Sequence, residues 1–154
     1  MSDQPFPPAD AAAFLVLCDG EWMSLRSSFE LSSGGDDDWH SSERGELVVR
    51  SGEAVDEAEG ELVVTAPGGA TTTLRFFRDG ALAIDGTPAG QWRFWPDGSM
   101  ELNLSRPDGM TVQERIWFTR ANLRLRSTTA TDQDGTPRQG SFCTDIRRVS
   151  KAAA

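Results

Sequence analysis

The chain contains 154 residues, a length that fits one domain with a hydrophobic core of its own. Its 24 Asp and Glu residues outnumber its 15 Lys and Arg residues, so the formal net charge is −9. This charge argues against nucleic acids and anionic membranes as partners, because both would repel the surface as a whole. Transient binding to other proteins remains compatible with it.

A short helix is predicted near the N-terminus. Residues 1–10 are rich in Pro and polar side chains, and we expect them to be flexible. Asp10 can cap a helix over Ala11–Cys18 that ends before Gly20. The apolar part of this helix, 11–17, is too short to span a membrane and lacks a preceding basic segment. We therefore expect a cytoplasmic protein without membrane insertion.

Beyond the helix, short β-rich runs alternate with turn dipeptides such as Asp79-Gly80, Asp97-Gly98 and Asp134-Gly135. Asp-Gly is a strong hairpin signal, because glycine adopts a positive φ without steric cost. The predicted strands are 22–31, 46–50, 61–66, 72–78, 81–85, 91–95, 99–105, 111–119, 123–131 and 141–149.

This pattern predicts an all-β fold, an antiparallel barrel of about ten strands with a short N-terminal α-helix. A meander of so many strands usually closes, because closure removes the unpaired edges. We expect a single barrel domain over 11–150. Barrels of roughly this size can hold a small ligand inside.

Two arginines dominate the strand 123–131. Strand alternation places Arg124, Arg126 and Thr128 on one face. Neighbouring arginines repel each other and are hard to desolvate, so an inward-facing pair predicts an anionic ligand. The alternative is an exposed salt-bridge ladder with no ligand, which residue types alone favour.

The register with the preceding strand decides which residues share the arginine face. If paired positions sum to an even number such as 242, Glu114 joins the arginines. If the sum is odd, Arg115 and Trp117 join them instead. The even register is chemically better, because it places a carboxylate beside two cations and avoids three clustered cations.

The remaining reactive and aromatic residues give weaker signals. Five tryptophans, at 22, 39, 92, 95 and 117, suit an extended conjugated ligand, although most tryptophans fill cores, and Trp22 is expected to plug one barrel end. Cys18 and Cys143 are expected as reduced thiols, with Cys143 a small buried residue and not a nucleophile. His40 is the only histidine, so neither a histidine-based triad nor a multi-histidine metal site is expected.

Four segments carry a family resemblance. They are ERIWF at 114–118, NLRLRS at 122–127, SFCTDIR at 141–147 and GEWMSLRSS at 20–28. Their order and spacing resemble the S/U-type phycobiliprotein lyases, and a glycine-led hairpin begins at Gly90 as in that family. The resemblance is most specific in the last third of the chain.

The resemblance implies a lipocalin-like barrel that binds a linear tetrapyrrole, a bilin of the phycocyanobilin or phycoerythrobilin type, as a non-covalent substrate without further cofactors. Such a lyase promotes thioether formation with a cysteine of a phycobiliprotein α or β subunit. By the same resemblance, Arg124 and Arg126 would bind the propionates and Glu114 would act catalytically at the pyrrole nitrogens. The further bilin contacts expected are Trp92, Trp117, Asn122 and Ser127.

The chain departs from the longer family members in two places. The region 48–78 is shorter and lacks a tryptophan pair, for which the candidate replacements are Trp92, Trp95, Phe76 and Phe77. Phe29 stands where a histidine is common. The shortening resembles the U-type branch, which can need an S-type partner. A homodimer or a heteromer with another S/U-type lyase is therefore among the expected assemblies. The alternatives are a non-catalytic carrier of a bilin or fatty acid and an accessory subunit.

Overall fold

The computed structural model describes residues 6–31 and 40–149. Residues 1–5, the acidic run 36–38 and Trp39 lie outside the described residues. The elements are α1 (Ala11–Cys18), β1 (Gly20–Glu30), β2 (His40–Gly52), β3 (Ala58–Thr65), β4 (Thr71–Phe77), β5 (Ala81–Ile84), β6 (Thr87–Phe94), β7 (Met100–Ser105), β8 (Thr111–Arg120), β9 (Leu123–Thr131) and β10 (Pro137–Arg147).

The strands form a closed antiparallel barrel. Each strand pairs with the next one along the chain, and β10 closes the ring by pairing with β1. The predicted ten-stranded barrel with one short helix is thus confirmed. The largest boundary error concerns β2, which begins at His40 and not at residue 46. Its first half is exposed and polar, so it lacks the apolar alternation that reveals a strand.

Helix α1 has the predicted bounds and closes one end of the barrel. Asp10 caps it by accepting a hydrogen bond from the backbone N–H of Ala13 at 2.8 Å. Its buried residues recur at helical spacing and face the barrel: Ala11, Phe14, Leu15 and Cys18. At the other end of the helix, Asp19 accepts a 2.8 Å bond from the backbone N–H of Ser51, which ties the helix to β2.

Aromatic side chains fill the closed end. Phe14 packs edge-to-face against Phe118, with ring centroids 5.3 Å apart. Trp22 is fully buried, and its indole N–H donates to the carbonyl of Cys18 at 3.0 Å. The expected role of Trp22 as a barrel plug is confirmed.

Arg147, the last residue of β10, seals this end from the outside. Its guanidinium donates to the backbone carbonyls of Leu17 and Asp19 and to the side-chain oxygen of Asn122, the last at 3.0 Å. It also stacks on the Trp22 ring, with 4.2 Å between the guanidinium carbon and the ring centroid. Burial lowers the pKa of Arg147. A ligand must therefore enter the barrel at its opposite end.

No helix within residues 6–31 and 40–149 is long and apolar enough to cross a membrane.

Gly90 is required by the close approach of β6 and β7. A Cβ at this position would lie 1.9 Å from the backbone oxygen of Asn103. Gly90→Ala is therefore expected to lower the free energy of unfolding by about 1–3 kcal/mol, measured by urea denaturation. Gly140→Ala in β10 is the control, because its new Cβ would meet nothing closer than 3.7 Å. Equal unfolding midpoints for the two variants would contradict this account.

Candidate functional site

Arg124 and Arg126 both point into the barrel. Only 4% of the Arg124 side chain and 20% of the Arg126 side chain are exposed. The alternative of a solvated surface ladder required both to be exposed, and it is wrong. Two buried guanidinium groups need compensation by anions or hydrogen bonds, because an isolated buried charge is unstable.

The β8–β9 register brings Glu114 to the same face. Paired positions sum to 242, as in Glu114 opposite Thr128 and Ile116 opposite Arg126. The prediction of an even-sum register is confirmed. Glu114 accepts a hydrogen bond from the hydroxyl of Thr128 at 3.0 Å. Glu114 on β8 therefore faces the barrel interior beside Arg124 and Arg126 on β9.

The anion closest to both arginines is Asp145, which is fully buried on β10. One of its carboxylate oxygens accepts from the Nε of Arg124 at 2.9 Å and from the Nε of Arg126 at 2.7 Å. The other oxygen accepts from a terminal nitrogen of Arg126 at 3.2 Å, so the contact with Arg126 is bidentate. Asp145 thus holds the two guanidinium groups in one fixed cluster.

Asp145 was missing from the sequence-based site. The signal that could have found it is the turn Asp134-Gly135, which predicts a β9–β10 hairpin. In the observed register of that hairpin, Asp145 lies opposite Arg124 and Cys143 opposite Arg126. A short loop limits the possible registers, so this pairing was within reach of the sequence.

The cluster stabilises its own charges. Burial alone would raise the pKa of Asp145, but the positive charges of Arg124 and Arg126 outweigh it and hold that pKa below its usual range. Burial likewise opposes the charge of Arg126, while Asp145 and Glu114 raise the pKa of Arg126 overall. Asp145 and Arg126 are therefore both charged at neutral pH.

Trp22 supports the cluster from the closed end. The guanidinium carbon of Arg124 lies 4.9 Å from the Trp22 ring centroid. On β1, Ser24 accepts a bond from Arg126 at 3.3 Å. Every buried side-chain nitrogen and oxygen in the described part of the chain has a hydrogen-bond partner. The arginines are thus held by packing and hydrogen bonds before any ligand arrives.

Two adjoining spaces lead to this cluster. An inner cavity of about 160 Å³ is lined by apolar side chains together with Glu114, Arg124 and Arg126. A mouth pocket of about 550 Å³ lies at the open end, where Arg26 and Thr128 are among its lining residues. The hydrogen bond between Thr128 and Glu114 marks the boundary of the two spaces. Glu114 therefore lies on the side of the inner cavity that faces the mouth pocket.

Arg26 adds a third cation to the wall. Its position on β1 is opposite Cys143, which in turn is opposite Arg126. The guanidinium of Arg26 approaches the hydroxyl of Ser141 at 3.5 Å. Arg26 lay within the segment GEWMSLRSS, but the sequence assigned it no role. Cations therefore extend along one side of the barrel from the closed end to the mouth.

Comparisons with known proteins match this barrel. The CpeS-like protein family model matches residues 49–148. The chromophore lyase CpcS/CpeS 1 of Paulinella chromatophora is 47% identical over 146 residues, which cover 95% of this chain and 92% of that protein. The chain belongs to the CpeS-like family.

Solved structures with the same fold extend this result. The S-type phycobiliprotein lyase CPES from Guillardia theta superposes with a TM-score of 0.69 at 22% identity, covering 90% of this chain and 92% of that one. A protein of unknown function from the DUF3598 family of Nostoc punctiforme PCC 73102 superposes with a TM-score of 0.56 at 17% identity, covering 87% of this chain and 49% of that one. At these identities the likeness concerns the fold alone.

The CpeS-like barrel places the other predicted bilin contacts at different sites. Trp92 packs against the core, with its ring 5.9 Å from that of Phe76, which lines the inner cavity. Trp117 and Ser127 lie on the outer faces of β8 and β9, because their neighbours Ile116 and Arg126 point inward. These two side chains are separated from the arginine cluster by the barrel wall.

Asn122 and Trp95 also lie outside the inner cavity. Asn122 occupies the β8–β9 turn at the closed end, where its side chain accepts from Arg147. Trp95 is stacked by the guanidinium groups of Arg93 and Arg115, at 4.0 and 4.6 Å from its ring centroid. Of the aromatic residues considered as replacements for the missing tryptophan pair, Phe76 lines the inner cavity.

Both cysteines are free and buried. Burial is the main reason that the pKa of Cys18 and the pKa of Cys143 are raised above the ordinary thiol value. A raised pKa leaves less thiolate at neutral pH and so lowers nucleophilicity. The expectation of reduced, buried thiols is confirmed.

Asp145→Asn tests the central ion cluster. Removing one partner from a buried ion pair leaves an uncompensated charge, so we expect the free energy of unfolding to fall by about 3–5 kcal/mol. The pKa of Asp145 is lowered on folding, so its stabilisation is complete above the unfolded pKa and is lost as pH falls through the folded value. The acid-induced loss of stability should therefore be shallower in Asp145→Asn than in the wild type.

Asp132→Asn is the matched control. Asp132 pairs with Arg138 at 2.7 Å, but both side chains reach solvent at the barrel surface. Urea denaturation at several pH values should show a much smaller stability loss for this variant. Equal losses for the two variants at neutral pH would refute the central role of Asp145.

Proposed function

We propose that this chain is a phycobiliprotein lyase that binds a bilin inside its barrel and promotes attachment of that bilin to a cysteine of a phycobiliprotein subunit. Two things support the proposal. The chain is 47% identical to a chromophore lyase over nearly the whole of both proteins. The observation that carries the chemistry is the buried cluster of Arg124, Arg126 and Asp145 beside Glu114.

The two spaces suggest how a bilin is arranged. An inner cavity of about 160 Å³ is too small for a tetrapyrrole, whereas the mouth pocket of about 550 Å³ lies in the range typical of small-molecule sites. The tetrapyrrole therefore occupies the mouth pocket, and one propionate arm enters the inner cavity. The apolar lining of that cavity excludes water from the arm and strengthens its ion pairs.

The arginines then have different tasks. Arg126 is the more exposed of the pair, so it meets the inner propionate directly, sharing it with Asp145. Arg124 is stacked on Trp22 and enclosed. It holds Asp145 through an ion pair and adds positive charge from the closed end of the barrel. Arg26 at the mouth offers a cation for the second propionate. This arrangement refines the expectation that Arg124 and Arg126 each bind one propionate.

Glu114 lies where the two spaces adjoin, which suits a role at the pyrrole nitrogens. It can accept hydrogen bonds from pyrrole N–H groups, or it can protonate the bilin and make its exocyclic double bond more electrophilic. In the second case the acceptor thiol sulfur bonds to the vinylidene carbon. The π electrons of the double bond move into the protonated bilin, and the thiol proton restores Glu114.

The acceptor supplies the nucleophile, so the lyase needs no reactive thiol of its own. The raised pKa values of Cys18 and Cys143 agree with this division of roles. Phe76 and Trp92 provide aromatic packing beside the inner cavity. Trp117, Asn122 and Ser127 receive no bilin contact in this proposal, because their side chains lie outside the barrel interior.

We assign the substrate to the phycocyanobilin or phycoerythrobilin type and the acceptor to a phycobiliprotein α or β subunit. Co-expression of the chain with each subunit and each bilin source tests this assignment, scored by covalent chromophore on the subunit. Repeating it with and without another S/U-type lyase tests whether the chain acts alone. A chain that binds bilin but never transfers it, with or without a partner, would be a carrier.

Arg126→Ala is expected to weaken bilin binding about 10- to 100-fold, the usual effect of losing a charge-assisted contact. The measurement is titration of bilin absorbance with purified protein. Arg115→Ala is the control, because Arg115 points outward from the neighbouring strand β8 and should leave bilin affinity unchanged. Unchanged affinity in Arg126→Ala, with its fold intact by circular dichroism, would sink the propionate assignment.

Glu114→Gln separates the two roles of the acid. If Glu114 protonates the bilin, attachment should slow by about 100- to 10,000-fold, while bilin affinity changes little. If Glu114 only accepts hydrogen bonds, affinity and attachment should fall together and modestly. Single-turnover attachment rates and bilin titrations measure both quantities. A variant with wild-type values for both would exclude Glu114 from the reaction.

A further inference from the structure

The outer face of the wall that carries the arginine cluster is apolar. On β1, β10, β9 and β8 the large apolar residues between the inward-facing ones form what we call the outer patch. It consists of Met23, Leu25, Trp117, Leu123, Leu125, Phe142 and Ile146. Leu25 is 41% exposed, and Phe142 and Ile146 are each 42% exposed. Large apolar side chains at such exposure mark an interaction surface when they are contiguous.

The strand registers place the residues of the patch in three adjacent rows. Met23 lies opposite Ile146, which lies opposite Leu123. One row further along the barrel, Leu125 lies opposite Trp117, and Thr144 lies between Leu125 and Leu25. In the third row Phe142 lies between Ser27 and Ser127. Directly opposed residues on one face of a sheet have their Cβ atoms about 5 Å apart, so these side chains touch or nearly touch.

Arginines lie along the border of the patch, where Glu46 is also present opposite Met23. Arg44 is exposed opposite Leu25, and Arg120 is exposed opposite Leu123. Arg115 stacks on Trp117, with 5.4 Å between its guanidinium carbon and the ring centroid. Arg44 and Arg120 add to two ion pairs at this border, Arg115 with Asp97 and Arg148 with Glu46, so the border carries more cations than anions on a chain whose formal net charge is −9. An acidic partner is repelled by most of the surface and attracted here.

The size of the patch argues against a stable homodimer. Four strands and three rows of side chains span an area of roughly 400 Å², from the usual strand and residue spacings. A standard stable interface buries about 800 Å² on each partner. A two-fold dimer through the patch would also place two borders that are both rich in arginine at one interface. These features favour a transient partner of opposite charge over a second copy of the chain.

We propose that the outer patch is the docking face for the acceptor phycobiliprotein subunit, which meets it with an apolar centre and carboxylates at the rim. This inference rests on the proposed function. Phe142 follows Gly140 and Ser141, which line the mouth pocket. The patch therefore runs from Leu123 at the closed end to Phe142 beside the mouth, and an acceptor that extends past Phe142 can bring its cysteine to the bilin. Trp117 belongs to this docking face, which explains an aromatic residue on the outer wall.

The test separates docking from chemistry by using bilin-free lyase and purified apo-subunits, α and β in turn, in isothermal titration calorimetry. Leu125→Glu and Trp117→Glu should each weaken binding of the cognate subunit at least tenfold. In attachment assays they should raise KM for the subunit by a similar factor, leaving the rate at saturating subunit and the bilin affinity unchanged. Binding by the wild type should weaken with added salt.

Val63→Glu is the control, because Val63 lies on the outer face of β3, four strands around the barrel from β9. This variant should bind the subunit as the wild type does. Wild-type subunit affinity in Leu125→Glu and Trp117→Glu would overturn the proposal. It would also be overturned if the wild type formed a dimer in analytical ultracentrifugation that Leu125→Glu dissociates, since the occupant would then be a second copy.

Failure of the docking inference and failure of the proposed function give different results. If the wild type attaches bilin and the patch variants do so with unchanged KM, the docking face is wrong and the lyase function stands. If the subunit binds through the patch but no bilin is ever attached, the docking face stands and the lyase function is wrong.

Discussion

The interior of this barrel depends on one carboxylate. Asp145 accepts from Arg124 and Arg126 at once, and without it two guanidinium groups would lie buried side by side. Their mutual repulsion and desolvation would oppose folding of β9 against β10. With it, the cluster is preformed and carries fixed donors toward the inner cavity. The same carboxylate also competes with any ligand carboxylate for Arg126. Asp145 therefore stabilises the fold but lowers the affinity of the site for its ligand. For a protein that must release its ligand to an acceptor, a moderate ligand affinity is useful.

The closed end determines the direction from which a ligand reaches the ion cluster. Helix α1 and Trp22 fill the barrel beneath Arg124, and Arg147 fastens the helix to the strand ends. Arg124 is consequently enclosed, whereas Arg126 and then Arg26 become progressively closer to the mouth. A ligand can approach only from the mouth, so it meets the cations in a fixed order. The aromatic plug therefore has a functional consequence as well as a structural one.

Much of this structure follows from local sequence signals, and the failures have physical causes. The helix bounds, the ten strands and the β8–β9 register were predictable, because capping, turn dipeptides and charge pairing are short-range. The role of Asp145 was missed because it depends on a second register, between β9 and β10. Trp117 and Ser127 were assigned to the bilin from their motif, although alternation placed Ser127, and the preferred even register placed Trp117, on the sheet face away from Arg126. Motif membership says that a residue matters, and alternation says on which side of the wall it lies.

Alternation also gives the four strands β1, β10, β9 and β8 two separate tasks. Their inward residues form the ion cluster and the cavity lining, and the residues between them form the outer patch. Because the side-chain period of a strand is two, a register slip of one residue would exchange these faces and bury the patch in place of the cluster. The buried pairs of Asp145 with Arg124 and Arg126 make such a slip unfavourable. The ion cluster that holds the ligand site together therefore also fixes which side chains the protein presents on its outer surface.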